Sequence, residues 1–387
     1  MTPHKNLSII GSTGSIGQQT LDIVRNFPSN YSIKSLAAGK NIIEFKKQLL
    51  EFQPEIASIT DPKNAKELEL FCKKNELKTT IFYGNEGLDI ISKTAVDLII
   101  IAIVGTAGIR PTYNAIKEKT PIALACKEVL VSAGDLITEL AQKNDVPIVP
   151  IDSEHAATQQ CINTQNDLIN TIESITLTAS GGPFWELPED QFKNITKAMA
   201  LNHPTWDMGS KISIDSATMV NKGLEIIEAH HLFQIDYSKL QVSVHRQSIV
   251  HALVEFIDGN IIAHLSPTDM RFPIQYALDY PFKKHTKFKR LDINSLSALT
   301  FEAPDFNRFP LLKTALDAGK AKGTYPAVFN AANEAAVSLF LQEKISFLQI
   351  KEKVESILNS FNHYSPTQID DIISIDSMIK HATLQTT

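Results

Sequence analysis

The sequence predicts an α/β protein with an N-terminal Rossmann-like doubly wound sheet, a central α+β domain and a C-terminal helical bundle. Three observations carry this. Short β-branched runs alternate with amphipathic stretches of helical length over the first 150 residues. A glycine-rich turn joins the first run to the first amphipathic stretch. Beyond about residue 308 only helical periodicity remains. At 387 residues, with 43 % hydrophobic and 21 % charged residues, the chain exceeds one ordinary core and has apolar material for more.

The strand-like runs of the first part are Leu7–Ile10, Ser32–Ala38, Ile56–Thr60, Thr79–Phe82, Asp97–Val104, Pro121–Ala125 and Pro147–Ile151, with helical Ile16–Phe27 and Ile42–Phe52 among the stretches between them. Residues 1–150 are expected to form a dinucleotide-binding domain. From 151 to 280 the pattern predicts a helix at Glu154–Ile162, a strand at Ser174–Ala179 and a helix at Ala217–Phe233. A hairpin then pairs Ile249–Ile257 with Ile261–Leu265 around Asp258-Gly259-Asn260. This is the expected catalytic domain, with a flexible flap at about 201–211. Residues 281–307, with Pro281, Pro304 and many charges, read as a linker. Residues 308–387 predict a bundle from Leu311–Ala318, Ala327–Leu341, Phe347–Phe361 and Ile369–Ile379.

A net charge of −6 without a basic tract argues against a nucleic-acid partner, so an anionic ligand needs local cations. Cys72, Cys126 and Cys161 are dispersed, odd in number and without CxxC spacing, which suits a reducing compartment and not a zinc–thiolate site. The longest apolar run, Leu98–Val104, is too short to span a bilayer, and the first strand starts at Leu7 without room for a targeting segment. The expectation is a cytoplasmic protein without membrane contact.

Gly11-Ser12-Thr13-Gly14-Ser15-Ile16-Gly17 lies between the first strand and first helix. Phosphates need backbone N–H groups that approach closely, and a helix N-terminus adds partial positive charge. The GxxGxxG spacing has a first gap one residue longer than usual, and a plain glycine turn is the alternative. The second strand ends Ala38-Gly39-Lys40-Asn41, with a lysine and no acid where a ribose 2′-OH would be held. That favours NADPH over NADH; a solvated Lys40 is the bland alternative.

Asp152-Ser153-Glu154 follows the strand Pro147–Ile151. Carboxylates beyond a strand's carboxyl end suit a hard cation, Mn²⁺ or Mg²⁺ with Co²⁺ as a further candidate, though the same residues suit a helix N-cap. Asn221, Lys222 and Glu225 share one side of a predicted helix near Ser216, as a phosphate-and-metal surface or an exposed polar stripe. Gly223 inside that helix implies close approach of a ligand or backbone. Trp206 and Met208, in a polar loop beginning at His203, suit a lid over substrate, with core packing of Trp206 as the alternative.

GSTGSIG, AAGKN, CKE, DSEH, TASGGPF, HPTWDMG, DSATMVNKGLE, DMRFPI and FNAANE, in order from about residue 7 to 340, together resemble the 1-deoxy-D-xylulose 5-phosphate reductoisomerase family. The resemblance implies rearrangement of a phosphorylated ketose and reduction by NADPH to 2-C-methyl-D-erythritol 4-phosphate, an isoprenoid precursor, by a metal-dependent homodimer. It places the metal on Asp152, Glu154 and Glu225, with Lys127 and His203 as further catalytic residues. Substrate contacts fall on Lys127, Ser153, Glu154, Ser180, His203, Trp206, Ser216, Asn221, Lys222 and Glu225, with Ser180, Ser216, Asn221 and Lys222 on the phosphate. Cofactor contacts fall on Thr13, Gly14, Ser15, Ile16, Gly39, Lys40, Asn41, Cys126, Glu128, Gly209 and Met270. Cys126 stands where the family usually has Asn, and Thr205 and Asp207 depart from a flap that commonly reads HPNWSMG. Two other readings use the same architecture: a semialdehyde dehydrogenase with Cys126 as nucleophile, and a non-enzymatic NADPH-binding module.

Overall fold

The computed structural model describes residues 4–162, 168–206 and 208–385. It divides into two compact units, one of residues 1–126, 137–152 and 270–289, the other of 127–136, 153–269 and 290–387.

The first unit holds a seven-stranded sheet of β1 (Lys5–Ile10), β2 (Tyr31–Ala38), β3 (Ile56–Ile59), β4 (Thr80–Tyr83), β5 (Leu98–Ile101), β6 (Ile122–Leu124) and β7 (Ile148–Pro150). Every pairing is parallel. Its central strands are buried on both faces, so β5 reads Leu-Ile-Ile-Ile without alternation and is wholly buried. The order β4-β3-β2-β1-β5-β6-β7 reverses direction at β1, so a crevice opens beyond the carboxyl ends of β1 and β5. All seven expected strands are present.

Residues 270–289, expected to split between the catalytic domain and a linker, belong to this first unit. Their helix Arg271–Asp279 contributes Ile274, Ala277 and Leu278 to its core. The buried Asp279 accepts from the Tyr31 hydroxyl at 2.5 Å and from Lys284 Nζ at 2.7 Å. Lys5 Nζ donates to the carbonyls of Leu278 and Tyr280. The bonds from Tyr31 and Lys5, spanning 248 to 275 positions in sequence, have no local signature.

The second unit holds a four-stranded sheet, β8 (Ile172–Ala179), β9 (Leu240–Val244), β10 (Val250–Phe256) and β11 (Ile261–Leu265), in the order β11-β10-β8-β9. The expected hairpin is β10–β11, and its Asp258 carboxylate accepts from the Asn260 N–H. β9, parallel to β8, was not anticipated. The expected helix Ala217–Phe233 starts at Val220, after Met219 with φ +62°, and a separate helix, Ser210–Ala217, precedes it.

The central region and the C-terminal helices fall in one compact unit. Ile175 and Leu177 of β8, Leu224 and Ile227 of Val220–Phe233, and Phe309, Phe329, Phe340 and Ile379 of the late segments share one core. The late helices are Pro310–Ala321, Tyr325–Leu341, Phe347–Ser360 and Ile369–Gln385. Within the expected linker, Glu302 bridges Val244 antiparallel, which ties the segment to the second sheet. The helix Lys127–Asn144 leaves helical geometry at Ala133, and its first turns, carrying Lys127 and Glu128, belong to the second unit. No helix among the described residues is long and apolar enough to cross a membrane.

Candidate active site

In the first unit the glycine motif forms the β1-to-helix turn. Gly11 has φ +98°, and a Cβ there would lie 2.3 Å from the Ala102 carbonyl oxygen; one on Gly17 would lie 2.3 Å from the Gly11 oxygen. These two glycines therefore serve a close backbone fit that side chains would break. Gly14 is the N-cap of the helix Ser15–Asn26, and no side chain bonds that helix's first N–H groups. Gly14 and Ser15 are exposed, and Thr13 and Ile16 half-buried, beyond the switch point. An uncapped helix start at that place fits a pyrophosphate. Gly39, Lys40 and Asn41 are exposed at the end of the adjacent β2, and Asn41 Oδ1 caps the helix Ile42–Phe52 through Glu44 N at 3.2 Å. Cys126 is buried and its thiol donates to the Gly105 carbonyl. Met270 packs at the edge of this unit's core.

The second unit gathers the polar residues of three segments. The helix Val220–Phe233 presents Asn221, Lys222 and Glu225 on one side, as their i,i+3 and i,i+4 spacing requires. Glu225 is 1 % exposed; its Oε1 accepts from Lys127 Nζ at 3.0 Å and Asn221 Nδ2 at 2.6 Å, and its Oε2 from Lys222 Nζ. Lys127 Nζ also donates to Asn221 Oδ1 at 2.8 Å. Lys222 Nζ reaches Glu154 Oε1 at 2.7 Å, so one ammonium bridges two carboxylates. The Ser153 hydroxyl bonds Glu154 Oε2.

Asp152, Glu154 and Glu225 each place a carboxylate oxygen within 4.8 Å of the others. Such a set of oxygens fits a hard divalent cation. Asp152, His155 and Glu228 meet the same distance test, but the all-carboxylate set suits Mg²⁺ or Mn²⁺ better than one containing imidazole. His155 was quoted within a motif and given no role. Buried completely, its Nε2 bonds the Glu225 carbonyl at 2.8 Å and its Nδ1 lies 3.4 Å from Glu228, which fixes the helix backbone at Glu225.

A second cluster centres on His203. Its Nδ1 accepts from the backbone N–H groups of Thr205 at 3.2 Å and Trp206 at 3.0 Å. The neutral ring's proton is then on Nε2, which faces Ser180 Oγ at 2.9 Å and Ser216 Oγ at 3.1 Å. Burial, then the Arg246 charge, pushes the His203 pKa down to about 4 from 6.5. The unfolded chain therefore binds more protons between those values, so this stabilising contribution is full above pH 6.5 and is lost as pH falls toward 4. We expect a proton NMR titration, assigned with His203→Gln, to place the His203 midpoint below pH 5; a midpoint near the ordinary imidazole value of about 6.5 would contradict the buried neutral ring.

Arg246, which the sequence did not single out, donates from Nη1 to the carbonyls of Ser180 and Gly182, each at 2.8 Å. It lies between β9 and β10, where nothing in its spacing marks it. Trp206 is half-buried, its ring edge-on to His251 at 6.3 Å, so core packing is not its role. The other tryptophan, Trp185, is a core residue stacked on Phe309. Gly209, the N-cap of Ser210–Ala217, has an ordinary φ of −61° and open space around a would-be Cβ. Of the two expected causes for Gly223, close approach of backbone holds: a Cβ there would lie 2.4 Å from the Ala315 Cβ and 3.6 Å from the Leu312 carbonyl oxygen, so the glycine allows close packing of the helix Pro310–Ala321. Asp207 lies outside the described residues.

The chain matches three family models: 1-deoxy-D-xylulose 5-phosphate reductoisomerase over residues 7–134, its C-terminal domain over 148–233, and the DXP reductoisomerase C-terminal domain over 265–382. It is 45 % identical over 377 residues to the reductoisomerase of Clostridium novyi, covering 97 % of each chain. This chain belongs to the 1-deoxy-D-xylulose 5-phosphate reductoisomerase family. Another family member, from Pelodictyon phaeoclathratiforme, is 46 % identical, covering 96 % of this chain and 97 % of that one. Among solved reductoisomerases, one in complex with NADPH, fosmidomycin and magnesium superposes with a TM-score of 0.93 at 39 % identity, covering 98 % of this chain and 97 % of that one. The Zymomonas mobilis reductoisomerase in complex with NADPH superposes with a TM-score of 0.92 at 36 % identity over the whole of both chains.

Proposed function

We infer that this protein isomerises and reduces 1-deoxy-D-xylulose 5-phosphate to 2-C-methyl-D-erythritol 4-phosphate, using NADPH and a divalent metal. The observation that carries this reading is the meeting of Asp152, Glu154 and Glu225 with Lys127, Asn221 and Lys222, in a chain of this family. Those three carboxylates would hold Mg²⁺ or Mn²⁺, which polarises a carbonyl and acidifies a hydroxyl on adjacent substrate carbons. NADPH supplies the hydride for the reduction.

The protein's own side chains bind and orient. Ser180, Ser216, Asn221 and Lys222 are the proposed phosphate holders, with Lys222 the cation among them. His203, neutral and carrying its proton on Nε2, orders the two serine hydroxyls and offers a donor without titrating near neutrality. Its Nδ1 also holds the backbone of Thr205 and Trp206, so phosphate binding and loop conformation share one imidazole. Energy from that remote phosphate can then be used to close the Trp206 loop and exclude water. Lys127, bonded to Glu225 and Asn221, is placed to move or hold a proton at a substrate oxygen near the carboxylates.

The proposed cofactor contacts are those that the family resemblance implies, Thr13, Gly14, Ser15, Ile16, Gly39, Lys40, Asn41, Cys126, Glu128, Gly209 and Met270. We expect kcat/KM for NADPH to exceed that for NADH at least tenfold, about 1.4 kcal/mol, and the ratio to shrink in Lys40→Ala. Equal values for the two cofactors in the parent enzyme would remove the Lys40 argument.

The deciding experiment is NADPH oxidation, followed at about 340 nm as reduced nicotinamide is consumed, with the ketose phosphate present or omitted and Mg²⁺ present or chelated. Turnover only with both supports the reading; cofactor binding without turnover favours a binding module. Full metal-dependent activity of Cys126→Ser would exclude a cysteine nucleophile. A cytoplasmic homodimer completes the proposal. Ile261 and Ile262 of the edge strand β11 are 57 % and 40 % exposed, an apolar edge that a second copy would cover. Sedimentation equilibrium tests the dimer.

A further inference from the structure

Lys211 is the second residue of the helix Ser210–Ala217, the first element after the Trp206 loop. A cation in a helix's first turn opposes the helix dipole, so its position needs another reason. Its ammonium lies 2.9 Å from Glu128 Oε1 and 2.7 Å from Asp215 Oδ2. The lysine side chain is 18 % exposed, and the two carboxylates 8 % and 1 %. Burial opposes the charged lysine, but Asp215 and Glu128 outweigh it and push its pKa up. Burial likewise opposes the charged Glu128, yet Lys211 holds it down at about 2. Lys211 and Glu128 are thus charged while enclosed. Asp215 Oδ1 accepts from Asn333 Nδ2 at 2.8 Å, which fixes the triad to the helix Tyr325–Leu341.

Stability alone is a poor reason for such a triad, because enclosed ion pairs replaced by apolar groups of similar volume are often as stable or more so. What the triad does supply is register between two segments. Glu128 is one residue from Lys127, whose ammonium reaches Glu225 and Asn221. Lys211 is two residues beyond Gly209 and five beyond Trp206. We propose that Lys211 is a positioning residue for the reductoisomerase reaction: by bridging Glu128 and Asp215 it locks the trailing end of the Trp206 loop to the helix turn that carries Lys127. This rests on the functional reading above. Lys211 touches no proposed metal ligand and acts through Glu128 and the loop.

The test uses the full enzyme with saturating NADPH and Mg²⁺ and compares Lys211→Met, Glu128→Gln and the double variant. In Lys211→Met we expect KM for the ketose phosphate to rise about tenfold and kcat to fall. The double variant is expected to lose no more than the worse single one, because both break one bridge. An unchanged KM, with only the amount of active enzyme and the unfolding midpoint reduced, would show a merely structural lysine and overturn the inference. So would single losses that multiply in the double variant. If Lys211→Met does not fold, Glu128→Gln decides alone: a KM about fivefold higher supports the bridge, and one within about twofold of the parent overturns it. The parent enzyme is the reference throughout. Its failure to turn over the ketose phosphate would overturn the functional reading itself, whereas normal parental turnover with unaltered variants overturns only the role of Lys211.

Discussion

Glu225→Gln is expected to lower kcat by at least two orders of magnitude, about 2.7 kcal/mol in the barrier. The substitution keeps the side chain's shape within the helix Val220–Phe233 and removes only its charge. That charge has two duties. It completes the set of carboxylate oxygens with Asp152 and Glu154, and it accepts from Lys127, Asn221 and Lys222 on both of its oxygens. A glutamine can satisfy one ammonium through its carbonyl but turns N–H donors toward the other, so the Lys127–Lys222 arrangement loosens as well. The two contributions separate by metal titration. If the carboxylate holds the cation, the Mg²⁺ concentration for half-maximal rate rises at least about tenfold in the variant. If only the lysines are disturbed, that concentration stays near the parent value while KM for the ketose phosphate rises. Turnover near the parent's would defeat the metal assignment.

Much of this site was legible because it depends on local spacing. Asn221, Lys222 and Glu225 fall together through helix periodicity, and Asp152-Ser153-Glu154 stands where a parallel strand ends. The strands of the first sheet were legible for a related reason: burial on both faces leaves apolar runs such as Leu98–Ile101, with little to confuse them with. The unread parts depend on partners far away in sequence. Leu240–Val244 does alternate apolar and polar residues, but it is only five residues long and its parallel partner β8 lies some 65 positions earlier. The break between Ala217 and Val220 carries neither glycine nor proline, and Met219, 2 % exposed, holds φ +62° there without a local residue type that signals it. Gly223 announced close approach of a ligand or backbone without saying which, because the helix that packs on it, at Ala315, comes 92 positions later. Arg246 and Lys211 look like ordinary surface cations in sequence, and only the carbonyls and carboxylates around them show otherwise.

Gly182→Ala is expected to cost about 2–4 kcal/mol of stability and to raise KM for the ketose phosphate at least about tenfold, although alanine adds a single methyl. Gly182 has φ +68°, where a side chain costs about 1–2 kcal/mol. The added Cβ would also stand 2.6 Å from the Ser216 carbonyl oxygen and 3.2 Å from the Ala217 Cα. Those neighbours are backbone at the end of the helix Ser210–Ala217, so no rotamer change relieves the overlap and the segments must part. They are also the segments that bring Ser180 and Ser216 to opposite approaches of His203 Nε2, and the Gly182 carbonyl is one of the two oxygens that hold Arg246. Separating them opens the proposed phosphate site without touching a carboxylate, so KM should suffer more than the metal requirement. Gly209→Ala is the matched control for stability: its φ is ordinary and its surroundings are open, so the urea midpoint should move far less than in Gly182→Ala, by no more than a weakened N-cap accounts for. Equal midpoints for the two variants would mean that the Gly182 contact does not constrain the chain. A destabilised Gly182→Ala with unchanged KM would mean that Ser180 and Ser216 do not hold the substrate's phosphate.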